Sequence, residues 1–184
     1  MDTQLDHLVV AARTLEEGAA WVEERLGVSM SPGGRHALMG THNRLLSLGP
    51  ERFLEVLAID PAVPALARPR WFDLDSQAMR ERLARGPALI HWVERTADIE
   101  RSLLDYPEEV EILDLVRGEH RWRIGVPRNG RIPCEGRCPT LIQWTAGPHP
   151  CAKLPDAGCT LDTFRPGPAP AATFTTPGGK RTLP

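Results

Sequence analysis

Two histidines, His7 and His91, each sit at the centre of a short apolar stretch, Leu5–Ala11 and Ala88–Val93. Runs of this length and β-branched content read as buried strands. A neutral imidazole in such a strand needs a hydrogen-bond partner or a metal, because an unpaired buried polar group is costly. Each histidine is followed by a second apolar stretch with one polar residue at its centre. Glu55 lies 48 positions after His7, in Phe53–Ile59, and Gln143 lies 52 positions after His91, in Thr140–Thr145. Two imidazoles and one carboxylate from three strands form a set used by non-haem iron and related divalent sites, which leave positions open for substrate. Gln143 offers an amide oxygen, a weaker donor that is no base at neutral pH.

Alternation decides which way these side chains point. Glu55 shares a face with Phe53 and Leu57, while Leu54, Val56 and Ala58 face the other way. The same reasoning puts Leu8 and Val10 against a helix, and His7 and Val9 toward a cavity. If Gln143 and His91 also face the cavity, Trp92 and Trp144 are core residues behind the sheet.

The intervening segments carry helix and turn signals. Thr14-Leu15-Glu16-Glu17 has the form of a capping box, with the Thr14 hydroxyl and the Glu17 carboxylate satisfying amides at a helix start. Leu15, Ala19, Val22 and Leu26 then recur at helical spacing, and Gly27 stands where a left-handed residue is wanted. Pro32-Gly33-Gly34-Arg35-His36 reads as a turn into a strand over Asn43–Leu48, and Gly49-Pro50-Glu51 turns the chain into the Glu55 strand. Residues 61–87 form a proline-punctuated linker whose Ser76–Arg85 portion is a short helix with Met79 and Leu83 inward. Arg70 and Trp71 on it could meet a ligand, although Trp71 and Phe72 are expected simply to dock the linker.

After the linker the order repeats. Thr96 is positioned to cap a helix carrying Ile99, Leu103 and Tyr106, and strands follow over Val110–Val116 and Arg121–Val126. Asn129-Gly130 is a tight turn before the Gln143 strand. Beyond residue 150 periodicity fades into a Pro/Gly-rich extension, with a strand expected over Cys159–Phe164 and a hairpin over Ala172–Leu183.

A histidine strand, a helix, further strands and a carboxylate or amide strand, present twice, resembles the vicinal oxygen chelate superfamily, which includes glyoxalases, bleomycin resistance proteins and dioxygenases. The stretch from His36 through Gly40-Thr41 and Asn43-Arg44 to Glu55 looks like its glyoxalase-like subgroup. The resemblance implies an α+β fold of paired βαβββ modules forming a curved mixed sheet around a central cavity, helices outside. It places the modules at 4–60 and 88–150, separated by the 61–87 linker and followed by the 151–184 extension. It also implies His7, Glu55, His91 and Gln143 as ligands of a divalent ion such as zinc, nickel, manganese or iron. His36, Asn43 and Arg44 become substrate-binding candidates; no catalytic residue is assigned. The expected function is a metal-dependent lyase, isomerase or dioxygenase acting on a small oxygenated metabolite. The amide at position 143 argues against the glyoxalase I reaction, in which a carboxylate there moves the proton. The alternative is a metal-free small-molecule binding or resistance protein of the same fold.

Composition narrows the field. The 184 residues suffice for a sizeable core, and a net charge of −2 suggests neither a nucleic-acid track nor an anionic-membrane patch. No apolar run approaches the ~20 residues of a membrane span, so a cytoplasmic protein is expected, its modules pairing within one chain or across a homodimer. The four cysteines, 134, 138, 151 and 159, lack tight Cys-x2-Cys pairs. They read as free thiols, with a Cys134–Cys138 bridge as the alternative. His120 reads as solvated and His149, between prolines, as structural.

Overall fold

The computed structural model describes residues 2–184. The first half runs β1 (Gln4–Ala11), α1 (Leu15–Leu26), β2 (Ser31–His36), β3 (Thr41–Ser47) and β4 (Phe53–Ile59). After α2 (Gln77–Leu83) the same order returns as β5 (Ala88–Arg95), α3 (Ile99–Leu103), β6 (Glu111–Arg117), β7 (His120–Val126) and β8 (Thr140–Ala146). These are the two expected βαβββ units. Their strands form one mixed eight-stranded sheet in the order β2-β3-β4-β1-β5-β8-β7-β6. β1 pairs parallel with β4, β5 pairs parallel with β8, and β1 joins β5 antiparallel, so the halves meet within one chain. The sheet curls until its edge strands β2 and β6 approach each other, enclosing a hollow.

Helix α1 begins and ends on local chemistry. The Thr14 hydroxyl accepts from the Glu17 amide at 3.1 Å, and Gly27 closes the helix in the left-handed region at φ 69°. The Glu17 carboxylate does not complete a capping box; it pairs with Arg13. Leu15, Ala19, Val22 and Leu26 form the buried stripe. The stripe lies close to the sheet because Gly18 has no Cβ: one built there would stand 2.4 Å from Val56 Cγ1. Asp98, not Thr96, caps the short α3, accepting from the Arg101 amide at 3.1 Å.

Two apolar layers result. On the helix side, Leu8, Val10, Leu54, Val56, Leu89 and Trp92 pack with α1. This layer is finished by the C-terminal tail, which folds as β9 (Thr160–Arg165), β10 (Ala171–Thr176) and β11 (Gly179–Leu183) in a separate three-stranded sheet. Phe174 and Leu183, both fully buried, seat that sheet on the layer, and Phe164 meets Trp92 edge to face. On the concave side, Val9, Leu57, Ile90, Val93, Trp122 and Ile142 form the second layer, closed by Trp71 and Phe72 from the linker.

The parity expected for β1 and β4 is present. It fails in β8, where Trp144 turns to the concave side and packs on Trp122, ring centroids 5.6 Å apart. Cys134 and Cys138 are bridged, a correction to the free-thiol reading, while Cys151 and Cys159 are free and buried. Among the described residues no helix is long and apolar enough to cross a membrane.

Trp92 is the largest side chain that β5 sends to the helix side, and it supports the tail sheet. Trp92→Ala is expected to lower folding stability by about 3–5 kcal/mol in urea denaturation, the range for emptying a tryptophan site in a core. A variant as stable as the parent would show that the tail sheet does not rest on this residue.

Candidate functional site

Strand β1 supplies the centre of the site. Its pairing with β5 is irregular between Leu5 and His7, and Asp6 at this irregularity is completely buried. A bare carboxylate would not survive there, since charge burial must be offset by partners. Asp6 has three. One oxygen accepts from His7 Nδ1 at 2.6 Å, and the other accepts from Trp144 Nε1 at 2.9 Å and His149 Nε2 at 3.0 Å. Burial alone would raise its pKa, but the hydrogen bonds and charge interactions with His149 and His7 outweigh it and hold the carboxyl well below its ordinary range. Asp6 is therefore ionised and accepts only, so Nδ1 of His7 carries the proton. His7 stacks on Phe53 at 4.4 Å and presents Nε2 to the hollow.

Glu55 faces His7 from β4, with Oε2 3.7 Å from His7 Nε2. Its other oxygen accepts from Asn43 Nδ2 at 2.6 Å. Asn43 Oδ1 in turn accepts from the Gly34 amide at 2.7 Å and from Arg117 Nη1 at 3.2 Å, which fixes the amide's orientation. Arg117 comes from the end of β6, on the far edge of the sheet, and also lies 3.4 Å from His36 Nε2. Two glycines make this meeting possible. A Cβ on Gly33 would stand 2.1 Å from Asn43 Oδ1, and one on Gly34 would stand 2.4 Å from Arg117 Cδ. His36 also contacts Thr41 Oγ1 at 3.1 Å, and burial pushes its pKa down to about 4 despite the opposing pull of Glu55. It is neutral at pH 7.

The remaining sequence candidates go elsewhere. His91 is fully buried, but its Nε2 accepts from the Thr140 amide at 3.2 Å and lies 3.0 Å from Thr140 Oγ1. Phe72 packs against the ring, and burial drops its pKa to about 3. Gln143 points to the helix side, where its amide donates to Ala97 O at 2.6 Å and accepts from Ile99 N at 3.3 Å. It steadies the start of α3 and cannot reach the hollow. Arg44 pairs with Val56 across β3 and β4, so it shares the helix-side face and does not line the site, whereas Asn43 does.

This corrects the expected metal set. His7 and Glu55 are close enough to share one ion, but Nε2 of His91 is taken by Thr140, the ring, whose buried Nδ1 has no partner among the described residues, does not line the hollow, and Gln143 faces away. Arg117 brings a permanent positive charge beside them. Among the described residues, no three His, Cys, Asp or Glu side chains group as an ion site. The four-strand ligand set therefore does not fit this arrangement.

The hollow that His7, His36, Asn43, Glu55 and Arg117 line is small, with an open volume of about 30 Å³, and aromatic rings wall it. Trp71 and Phe72 reach it from the linker, Trp122 and Trp144 from the second module. Phe72 and Asp73 adopt left-handed backbone angles, φ 57° and 61°, rare for such residues. They are held by the Asp73 amide donating to Gly130 O and the Ile132 amide donating to Asp73 Oδ2. Arg70 is tied to Asp75 at 2.8 Å. Trp71 thus docks the linker and walls the hollow at once. Its indole N–H, though buried, has no partner among the described residues. Elsewhere, a more open hollow of about 350 Å³ beside α2, with Arg82 and Arg131 on its walls, shows no such convergence.

Sequence reasoning missed Asp6, Arg117 and Trp144. A carboxylate within the apolar run of β1 was itself a signal, because a buried charge demands partners. Arg117 carried none, being one arginine among many at a strand end. Chemically, the cluster offers an imidazole nitrogen at His7, a carboxylate oxygen at Glu55 and a cation at Arg117.

Comparison with known proteins agrees with this architecture. A family model described as a glyoxalase-like domain matches residues 5–176. No curated protein matches the chain significantly. Among solved structures, a hypothetical protein from Staphylococcus aureus shares 17% identity with a TM-score of 0.58, covering 89% of this chain and 68% of its own. Methylmalonyl-CoA epimerase from Mycobacterium tuberculosis shares 18% identity, with a TM-score of 0.48 and coverage of 80% and 91%. The first of these likenesses concerns the fold alone.

Asp6→Asn tests the hub. Removing the charge leaves two histidines and an indole with a poorer acceptor, and a loss of about 3 kcal/mol is expected at pH 7. Because its folded pKa is depressed, Asp6 stabilises the fold above the unfolded value of 3.8, and that contribution is lost as pH falls through the folded value. Denaturation of both proteins across acid pH should therefore show the gap narrowing below about pH 4. A constant gap would mean that the carboxylate's ionisation does not matter.

Proposed function

The chain belongs to the glyoxalase-like domain family, and from its site we propose that it binds a small polar molecule in the hollow between its two modules, using side chains directly and no metal. The observation that carries this reading is the convergence of His7, Glu55, Asn43, His36 and Arg117, all from different strands, inside aromatic walls. Polar groups placed in a largely apolar pocket are the ordinary build of a small-molecule site. They orient a ligand, and the walls exclude water, which strengthens each polar contact.

The metal-dependent reading has one observation in its favour. His7 Nε2 and Glu55 Oε2, 3.7 Å apart, could both reach one ion. The position of His91 outside the hollow's lining, the outward Gln143 and the Arg117 charge all weigh against it.

Thermal-shift screening of chelator-treated protein against small carboxylates, amines and hydroxy acids separates the two. A ligand at about 100 times its Kd stabilises by ~2.7 kcal/mol. The expected result is a shift that survives chelation and is lost in Arg117→Ala. Shifts that vanish on chelation and return with zinc, nickel or manganese would replace this reading with the metal-dependent one.

A further inference from the structure

The seam between the sheet's edge strands holds a cation without an anion. Arg117 is half-buried at the end of β6, and a guanidinium keeps its charge at any ordinary pH. Its Nη1 donates to Asn43 Oδ1 at 3.2 Å and lies 3.4 Å from His36 Nε2. Among the described residues no carboxylate pairs with it, and its Nε and Nη2 make no hydrogen bond to the protein. Glu55 acts on it only from a distance, across the Asn43 amide that bonds both. Arg117 also lines two spaces at once. One is the hollow, and the other is an open groove of about 460 Å³ whose apolar walls are Pro32, Leu45, Pro150, Leu154 and Pro155. Lys153, the groove's other permanent cation, is paired with Glu119.

From this we infer that the ligand is a monocarboxylic acid with an apolar body, its carboxylate held on Arg117 at the mouth of the hollow and its chain lying along the groove. The inference rests on the small-molecule reading above and names the class of molecule. A carboxylate supplies the missing charge, and its two oxygens match the planar pair of N–H groups at Nε and Nη2. Its size suits the hollow's open volume of about 30 Å³, which admits one or two water-sized groups. The remainder of a metabolite cannot follow it there. The groove on the other side of the same guanidinium has the room, and its proline and leucine walls favour an apolar chain. An alcohol or amide would leave the half-buried cation unpaired, and an ammonium would be repelled by it.

Calorimetric titrations of chelator-treated protein with acetate, butyrate, hexanoate, hexanol and hexylamine, at matched ionic strength, test this. Affinity is expected to rise from acetate to hexanoate by about two- to fourfold per added methylene. Hexanol and hexylamine should bind at least about tenfold more weakly than hexanoate. Arg117→Lys keeps the charge but loses the planar fork, and should weaken hexanoate by about tenfold. In the unaltered protein, the Arg117 Nε–H resonance should move with hexanoate and not with hexanol, a readout that does not depend on a variant folding. Hexanol binding as tightly as hexanoate would overturn the carboxylate, and equal affinities for acetate and hexanoate would overturn the groove. No response to hexanoate while amines from the screen still bind would overturn the whole inference and leave the small-molecule reading standing. Binding of divalent ions at His7 with no response to any organic ligand would overturn both.

Discussion

An ionised carboxylate at the heart of a β-sheet is the constraint on which the rest of this site depends. Asp6 is fully buried, and its three donors come from three places: its neighbour His7, Trp144 on β8, and His149 beyond β8. Each is bound to it by the cost of leaving a buried charge unpaired. The carboxylate therefore does two things at once. It sets the tautomer of His7, and it ties the first module's central strand to the second module's last strand. The orientation of Trp144 follows from this bond and from its packing on Trp122, and the outward turn of Gln143 follows from Trp144.

Closure of the sheet is the second determinant. A curled sheet brings its two edge strands together, and a polar bridge crosses the seam where Arg117 of β6 meets Asn43 and His36 of the first module. Side chains on β2 would block the crossing, and the consecutive Gly33 and Gly34 leave it open. The cluster that results is shared: neither module alone holds the full set of charges. That is the structural reason to regard the hollow, and not either half, as the functional unit.

The tail and the linker have complementary tasks. The C-terminal strands cover the helix side, where Phe174 and Leu183 complete a core that α1 and the sheet leave open. The linker covers the concave side, where Trp71 and Phe72 close the hollow. Each face of the sheet thus gains a lining from outside the paired modules, and on the concave side His7, His36, Asn43 and Glu55 are buried beneath it.

Much of this was legible in the residues themselves. The Thr14 cap, the buried stripe of α1 and the facing of His7 and Glu55 follow from periodicity and capping, which are local properties of the chain, whereas the βαβββ order came from the family resemblance and β2, over Ser31–His36, read locally as a turn. What the sequence could not decide was how each polar side chain would be satisfied. His91 and Gln143 occupy strands much like those of His7 and Glu55, yet one is engaged by Thr140 and the other by the entrance to α3. The phase of β8 was undecidable locally, because Gln143 and Trp144 are adjacent and either could face inward. Tertiary structure chose Trp144, whose indole both fills apolar space and donates to Asp6, 138 positions away. Alternation along a strand is set by its own backbone, but the choice between its two phases is set by partners that only folding brings together.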